Sequence, residues 1–552
     1  MKAPDVPVPG LLDWLDAPDE DRGVATMDAA GEWHRVGYPR LAKRTRSMAA
    51  ALAGAGVGPG DVVSIIHRNG PGFISAFFGA LALGAVPSPL VPPALFQDSA
   101  AYANHISGIL GVAEPRVVVL EPELEADLGS VVRSRLGVRV VVIGAEPETG
   151  DAALAPAASA GDRLALLQFT SGSSSAPKGV EVSWAALEAQ IGILVNWLGF
   201  HSGNGCATWL PIHHDMGLVG MVLPSVVTQT NLWIMQPDQF IQGAARWLRL
   251  FGNGDAHIAA VPPFSLGHML RRVRQADLAG CDFSAVRNIV VGAEPIDGTV
   301  MDRLAELLAP AYGLAEATLA VAGKETLTPT TRVRVDRSRL RLGEKVIAAP
   351  EEVVPAEPLE LVSCGAPLPG VRVSVRDEAG DPAPPGVLGE IVVGGSTLAN
   401  HYRGDDELWT EFRTGDAGFL WEDGLYVLGR LGDGLKLRGV QIFAEDLEVL
   451  LARGDAVKSA RYTVVLGALD GVDTVAAIVV KKPGPWAEEI YRSLRRAVRG
   501  VRVVVVAAGR SAVRRTSSGK PMRRAMFNDL MDGTIEGVVV HDSGIGRADD
   551  DG

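Results

Sequence analysis

Residues 168–182 read Gln-Phe-Thr-Ser-Gly-Ser-Ser-Ser-Ala-Pro-Lys-Gly-Val-Glu-Val. They follow the apolar run Leu164-Ala165-Leu166-Leu167, which predicts a buried strand. Hydroxyls at Thr170, Ser171, Ser173, Ser174 and Ser175, free backbone at Gly172 and Gly179, and the charge of Lys178 then come together in one stretch. A strand running into such a loop cradles phosphate, because close backbone N–H groups and a cation meet a polyanion. A solvated Ser/Gly loop is the competing reading. A single lysine behind a proline, directly after a buried strand, favours the anion. The spacing is neither Gly-x-x-x-x-Gly-Lys-Ser/Thr nor Gly-x-Gly-x-x-Gly, so neither common nucleotide loop accounts for it.

The elements that must hold this loop are legible as alternation. Val62–Ile66, Val117–Leu120, Val140–Ile143, Ile258–Val261 and Ile289–Val291 predict short strands. Ser47–Ala55, Phe73–Leu83 and Trp184–Leu198 between them have helical spacing, which implies an α/β fold with largely parallel sheets. From Val371 the runs Val371–Val375, Leu388–Val393 and Leu425–Leu428 are separated by turn signals and predict a small β-rich, barrel-like subdomain. Past Gly429-Arg430 come the strands Val464–Leu466, Thr474–Val480 and Val501–Ala507, enough for a small α+β domain. The expected organisation is residues 1–430 (subdomain about 365–430), a mobile 431–540, and a disordered acidic tail 541–552. Ala348–Pro358 is expected to be an exposed loop or linker.

Composition narrows the partners. With 552 residues, 47% of them hydrophobic, the chain can build more than one core. A net charge of −13 argues against nucleic acid, whose backbone is bound by a Lys/Arg surplus. Cys206, Cys281 and Cys364 are isolated and read as reduced thiols of a cytoplasmic protein without a zinc site. Residues 72–95 are apolar but broken by Gly and Pro, so they predict a buried helix and strand, not a membrane span.

Further motifs follow the loop in order: Trp209-Leu210-Pro211-Ile212-His213-His214-Asp215-Met216-Gly217-Leu218, Gly292-Ala293-Glu294-Pro295, Tyr312-Gly313-Leu314-Ala315-Glu316-Ala317-Thr318, Thr414-Gly415-Asp416, Gly429-Arg430 with Asp433, and Arg515-Thr516-Ser517-Ser518-Gly519-Lys520. Over nearly the whole chain this series resembles the adenylate-forming superfamily of acyl-CoA ligases, fatty acyl-AMP ligases, luciferases and nonribosomal adenylation domains. The resemblance implies roles residue by residue. His214 borders the acyl and nucleotide sites. Thr170, Ser171, Gly172, Ser173 and Lys178 hold the phosphates. Gly292, Ala293 and Glu294 end the adenine-binding strand, Tyr312 stacks on adenine with Gly313 beside it in the nucleotide site, and Thr318 lies near the α-phosphate. Glu316 holds magnesium with Thr170 nearby, Asp416 takes the ribose, and Arg430 contacts ribose or phosphate. Asp433 is the hinge and Lys520 the catalytic lysine. Chemistry agrees: an aromatic face suits a purine, a carboxylate accepts from both ribose hydroxyls, and Mg²⁺ takes few carboxylates plus phosphate oxygens.

Two branches compete for the acceptor. Tyr312–Thr318, Thr330–Pro358 and Leu361–Gly365 resemble fatty acyl-AMP ligases, which deliver to the phosphopantetheine of an acyl carrier protein. Lys436, in a hinge motif ending at Gly439, matches acyl-CoA ligases, and the reading leans to CoA with Lys436 and Gly439 serving thiol transfer. The link from Glu294 to Tyr312 is short, with room for a helix Val300–Leu308 but little strand, which suggests specialisation for one half-reaction. The expected substrates are ATP and a fatty or bulky natural-product acid, with Mg²⁺. A non-catalytic nucleotide-sensing module is the alternative of another class; the retention of Glu316, Asp416, Arg430 and Lys520 counts against it, since a non-binding scaffold has no chemical need of all four.

Overall fold

The computed structural model describes residues 8–544 except 94–98, 130–131, 134–137, 143–160, 162, 171–176, 293–306, 350–357, 423, 438–439, 453, 458–459, 499 and 516–520. A nine-stranded sheet forms its centre. Gly23–Met27, Asn231–Ile234, Gly205–Thr208, Ile258–Val261, Asn288–Val291 and Leu308–Gly313 lie side by side in parallel. Antiparallel strands close both flanks: Trp33–Gly37 on one, Ala320–Gly323 with Ala366–Pro367 on the other. A second, parallel sheet orders Val86–Leu90, Val62–Ile66, Val117–Leu120 and Arg139–Val142. All five residues of Val62–Ile66 are buried, as expected of a strand covered on both faces.

The strand Leu164–Thr170 pairs antiparallel with Lys178–Ser183, so the hydroxyl-rich loop joins two paired strands. Helix Trp184–Leu198 starts where the Ser183 hydroxyl accepts from Ala186 N at 3.1 Å, a cap worth about 1 kcal/mol. It stops at Gly199, whose φ of +76° lets the chain turn without a Cβ clash. The β-rich part is an antiparallel sheet of Val371–Arg376, Gly389–Gly395, Phe412–Trp421 and Gly424–Arg430. Beyond it, Tyr462–Leu469, Val472–Val479, Arg502–Ala508 and Gly537–Asp542 form a mixed sheet, with helices Ala444–Ala452 and Trp486–Ala497 on a core of its own around Leu447, Val475, Ile490, Leu494 and Val503.

Three expectations are corrected. Leu308 does not end a helix: it opens the six-residue strand Leu308–Gly313, so a strand runs up to Tyr312; residues 300–306 of the expected helix lie outside the described residues. Pro310 hid this strand, since proline is rare inside sheets; here it stands opposite Val291 in parallel register. The tail does not begin at His541. His541 and Asp542 belong to a strand paired with Val505 and Val504, and Arg502 grips Asp542 through two bonds of 2.9 and 2.8 Å. Of Ala348–Pro358, residues 350–357 lie outside the described residues, while Ala348 bridges to Val335 and Pro358 starts the strand Pro358–Val362, which pairs with Arg332–Asp336. Among the described residues, no helix is long and apolar enough to cross a membrane.

Candidate active site

The carboxyl ends of the central parallel strands carry the histidine segment, Gly292 and Tyr312, where an open α/β sheet places its ligands. Gly292 follows Asn288–Val291, and a Cβ there would stand 3.0 Å from Ala311 O. At Gly313 a Cβ would come within 2.1 Å of Leu319 O, so only glycine lets this strand lie against the turn behind it. Between them Tyr312 projects to the β-rich sheet, where its hydroxyl donates to Asp416 Oδ2 at 2.6 Å. Asp416 Oδ1 lies 3.1 Å from Arg430 Nε, and the two residues are cross-strand partners. Burial, then the Asp416 carboxylate, push the Tyr312 phenol well above its ordinary pKa, so it stays a donor. Asp416 is the chief cause of the raised Arg430 pKa, with Glu316 and Tyr312 adding to it.

Asp416 is itself prepared by its neighbours. Its N–H donates to Thr414 Oγ1 at 3.0 Å, and that hydroxyl donates to Ile391 O at 2.8 Å. Gly415, at φ +72°, makes the kink between them and donates to Glu390 Oε1 at 3.1 Å.

Glu316 occupies the 3₁₀ turn Ala315–Ala317, and its Oε1 accepts from the Tyr402 hydroxyl at 2.7 Å. Lys178 Nζ stands 4.6 Å from the centroid of the same Tyr402 ring. Thr318 is buried at φ +64°, and its hydroxyl donates to Thr397 O at 2.7 Å. That bond anchors the turn carrying Glu316.

The histidine segment is joined to the loop strand through Gln168, whose Nε2 donates to His213 O at 2.7 Å. His213 is half-buried beside His214, with ring centroids 4.6 Å apart. Burial, then the charge His214 would carry, hold the His213 pKa well below its ordinary value, so it is neutral near pH 7. Asn69 fixes the segment from below: Nδ2 donates to Leu210 O at 2.9 Å and Met235 O at 3.0 Å, while Oδ1 accepts from Ile212 N at 3.2 Å. Trp209 stacks on Phe240 at 4.0 Å with 7° between planes, a contact worth about 0.5–1.5 kcal/mol beyond burial. Asn69 and Tyr402 were not singled out by sequence, as neither stands in one of the motifs quoted above.

Tyr312, Asp416 and Arg430 are thus brought together, as are Lys178 and Glu316 through Tyr402; Thr170 is opposite Lys178 in register. Asp433 ends the 3₁₀ turn Leu431–Asp433, and Lys436 in Gly434–Leu437 forms an ion pair with Glu378 of the β-rich part. Ser171, Gly172, Ser173, Ala293, Glu294, Gly439 and Lys520 lie outside the described residues. No group of three His, Cys, Asp or Glu side chains among the described residues could hold a metal unaided.

The family described as AMP-binding enzyme matches residues 17–403. The chain belongs to that family. Within it, the chain is 29% identical over 480 residues to the long-chain-fatty-acid–AMP ligase FadD26 of Mycobacterium tuberculosis, covering 80% of each. It is 28% identical over 555 residues to a putative acyl-CoA synthetase of Caulobacter vibrioides, covering 95% of this chain and 96% of that one. Among solved structures, a fatty acyl-adenylate ligase from a study of the E. coli and L. pneumophila enzymes superimposes with a TM-score of 0.85 at 25% identity, over 95% of this chain and 98% of that one. This AMP-binding enzyme is therefore an adenylate-forming, ATP-dependent acid ligase with the mixed α/β fold of that superfamily.

Proposed function

We propose that the enzyme activates a carboxylic acid as acyl-AMP and transfers the acyl group to the thiol of CoA, in the cytoplasm. The observation that carries the nucleotide half is the convergence of Tyr312, Asp416 and Arg430 from two sheets. Asp416 would accept from the ribose hydroxyls, Tyr312 and Gly313 would flank the adenine with Gly292, Ala293 and Glu294, and Arg430 would meet ribose or phosphate. A carboxylate must attack the α-phosphorus of ATP, and the two anions repel. Thr170, Ser171, Gly172, Ser173 and Lys178 would hold the departing pyrophosphate, Thr318 would line the α-phosphate, and Lys520 would neutralise charge on the pentavalent centre. His214 would border the acid. Glu316 is a single carboxylate near the loop, a donor set that fits Mg²⁺ arriving with phosphates and not a free-standing metal site. Bound there, with Thr170 nearby, Mg²⁺ would supply charge neutralisation on the phosphate oxygens.

Residues 431–540 would then turn about Asp433 against residues 1–430, withdrawing Lys520 and bringing Lys436 and Gly439 toward the thiol. Lys436 supports CoA as acceptor. The second reading, delivery to the phosphopantetheine of an acyl carrier protein, is supported by relatives named fatty-acid–AMP ligases. Strand Leu308–Gly313 runs up to Tyr312, where little strand was expected, and specialisation for one half-reaction is read out by assaying pyrophosphate exchange and transfer from synthetic acyl-AMP separately. Mass spectrometry of products from ATP and a panel of fatty and bulky acids, with CoA and holo-carrier protein offered separately, tests the proposal. Acyl-CoA is the expected product. Acyl-AMP consumed only by the carrier would replace CoA with the second reading.

A further inference from the structure

His401–Tyr402 forms an edge strand on Lys178–Ser183, with Tyr402 opposite Val180 and His401 opposite Glu181. Arg403 N donates to Gly179 O at 2.7 Å, and the Arg403 guanidinium meets the buried Glu181 carboxylate at 2.9 Å. Tyr402 is thereby tied to the base of the hydroxyl-rich loop. Its ring is set edge-on by Trp409, at 4.8 Å and 85°, and by Phe412, at 6.2 Å and 82°. From this fixed seat the hydroxyl holds Glu316 Oε1 at 2.7 Å, and the ring face holds Lys178 Nζ at 4.6 Å. The hydroxyl is the donor of this bond and the carboxylate oxygen its acceptor. A glutamate on a short turn otherwise samples several rotamers, and a charge-assisted bond to one oxygen removes that freedom.

We propose that Tyr402 is a positioning residue: it presets Glu316 for the metal ion that accompanies ATP and seats Lys178 on its ring until the phosphates draw the ammonium away. This rests on Glu316 serving Mg²⁺–ATP. One side chain then links the loop cation to the metal-binding carboxylate, so the two charges that must meet the triphosphate are aligned before it arrives. Tyr402→Phe keeps the ring and deletes the hydroxyl, whereas Tyr402→Leu deletes both functions.

The test is metal-specific binding: the affinity for Mn²⁺–ATP by electron paramagnetic resonance, divided by the affinity for ATP without metal. Tyr402→Phe should lower this ratio about tenfold, the worth of one bond to a charged group, and leave metal-free ATP affinity unchanged. Tyr402→Leu should weaken metal-free ATP binding as well. In a Glu316→Gln background, Tyr402→Phe should change the ratio by less than about twofold, because the two side chains act as one unit. An unchanged ratio in Tyr402→Phe, the same tenfold loss in the Glu316→Gln background, or a Tyr402→Phe chain that does not fold would each overturn the positioning role. Pyrophosphate exchange by the parent enzyme, run in parallel, separates the two claims: no exchange with an intact Tyr402 effect refutes the adenylation reading alone.

Discussion

Asp416→Asn isolates the charge at the proposed ribose site. Asp416 is 9% exposed, with one oxygen 2.6 Å from the Tyr312 hydroxyl and the other 3.1 Å from Arg430 Nε. Asparagine keeps the shape and one acceptor but loses the charge. A hydrogen bond to a charged group contributes about 1.5–3 kcal/mol, against about 1 kcal/mol between neutral groups. Two ribose hydroxyls would then lose about 1–4 kcal/mol together, centred near 2 kcal/mol, or about a 30-fold fall in kcat/KM for ATP. Release of Arg430 adds little, because its side chain is 49% exposed and water replaces the lost partner. The assay is pyrophosphate release with ATP varied at saturating acid, and KM for the acid should stay constant. Tyr312→Phe alone should cost about 1 kcal/mol, and the double variant should fall short of additivity by about 0.5–1 kcal/mol because the two groups share a bond. Unchanged kcat/KM in Asp416→Asn, or strict additivity, would refute the reasoning.

Lys520→Ala should abolish acyl-AMP formation and spare thiol transfer from supplied acyl-AMP; unchanged pyrophosphate release contradicts its assignment. Burial lifts the Glu445 carboxyl from 4.5 to about 7, despite Arg523 Nη1 at 2.6 Å. The folded state then holds a proton that the unfolded state has released, so stability falls as pH rises between about 4.5 and 7. Glu445→Gln should flatten the decline of Tm from pH 5 to pH 8, leaving the smaller slope of Asp446, whose pKa burial raises to about 6; equal slopes in parent and variant refute this. A Cβ on Gly323 would lie 2.2 Å from the Trp197 ring, so Gly323→Val should cost about 1–3 kcal/mol by overpacking. Thermal denaturation should show part of that loss recovered on adding Trp197→Ala, and no recovery would place the strain elsewhere.

Strands such as Val62–Ile66, Val117–Leu120 and Ile258–Val261 were legible to the residue, because each is a short apolar run, buried on both faces, that ends at polar residues or proline. Helix Trp184–Leu198 was legible because Ser183 and Gly199 mark its ends. Helix Tyr38–Gly54 starts well before Ser47, since Arg40, Lys43, Arg44 and Arg46 obscure the apolar period in its first turns. Leu308–Gly313 was hidden by Pro310, and Gly537–Asp542 by the acidic residues that follow it. In the site, motif order picked out Tyr312, Asp416 and Arg430. Pairing across 104 residues is invisible to spacing, so the Tyr312–Asp416 bond was not. Tyr402 and Asn69 act through contacts with distant segments, and nothing local to either residue announces that.

The central claim is acid-dependent adenylation, and ATP–pyrophosphate exchange measures it directly. Labelled pyrophosphate should enter ATP only when a suitable carboxylic acid is present, in the absence of CoA and of carrier protein, and the label should vanish in Lys520→Ala. Exchange that is absent with every acid tried, while ATP still binds, would contradict the account.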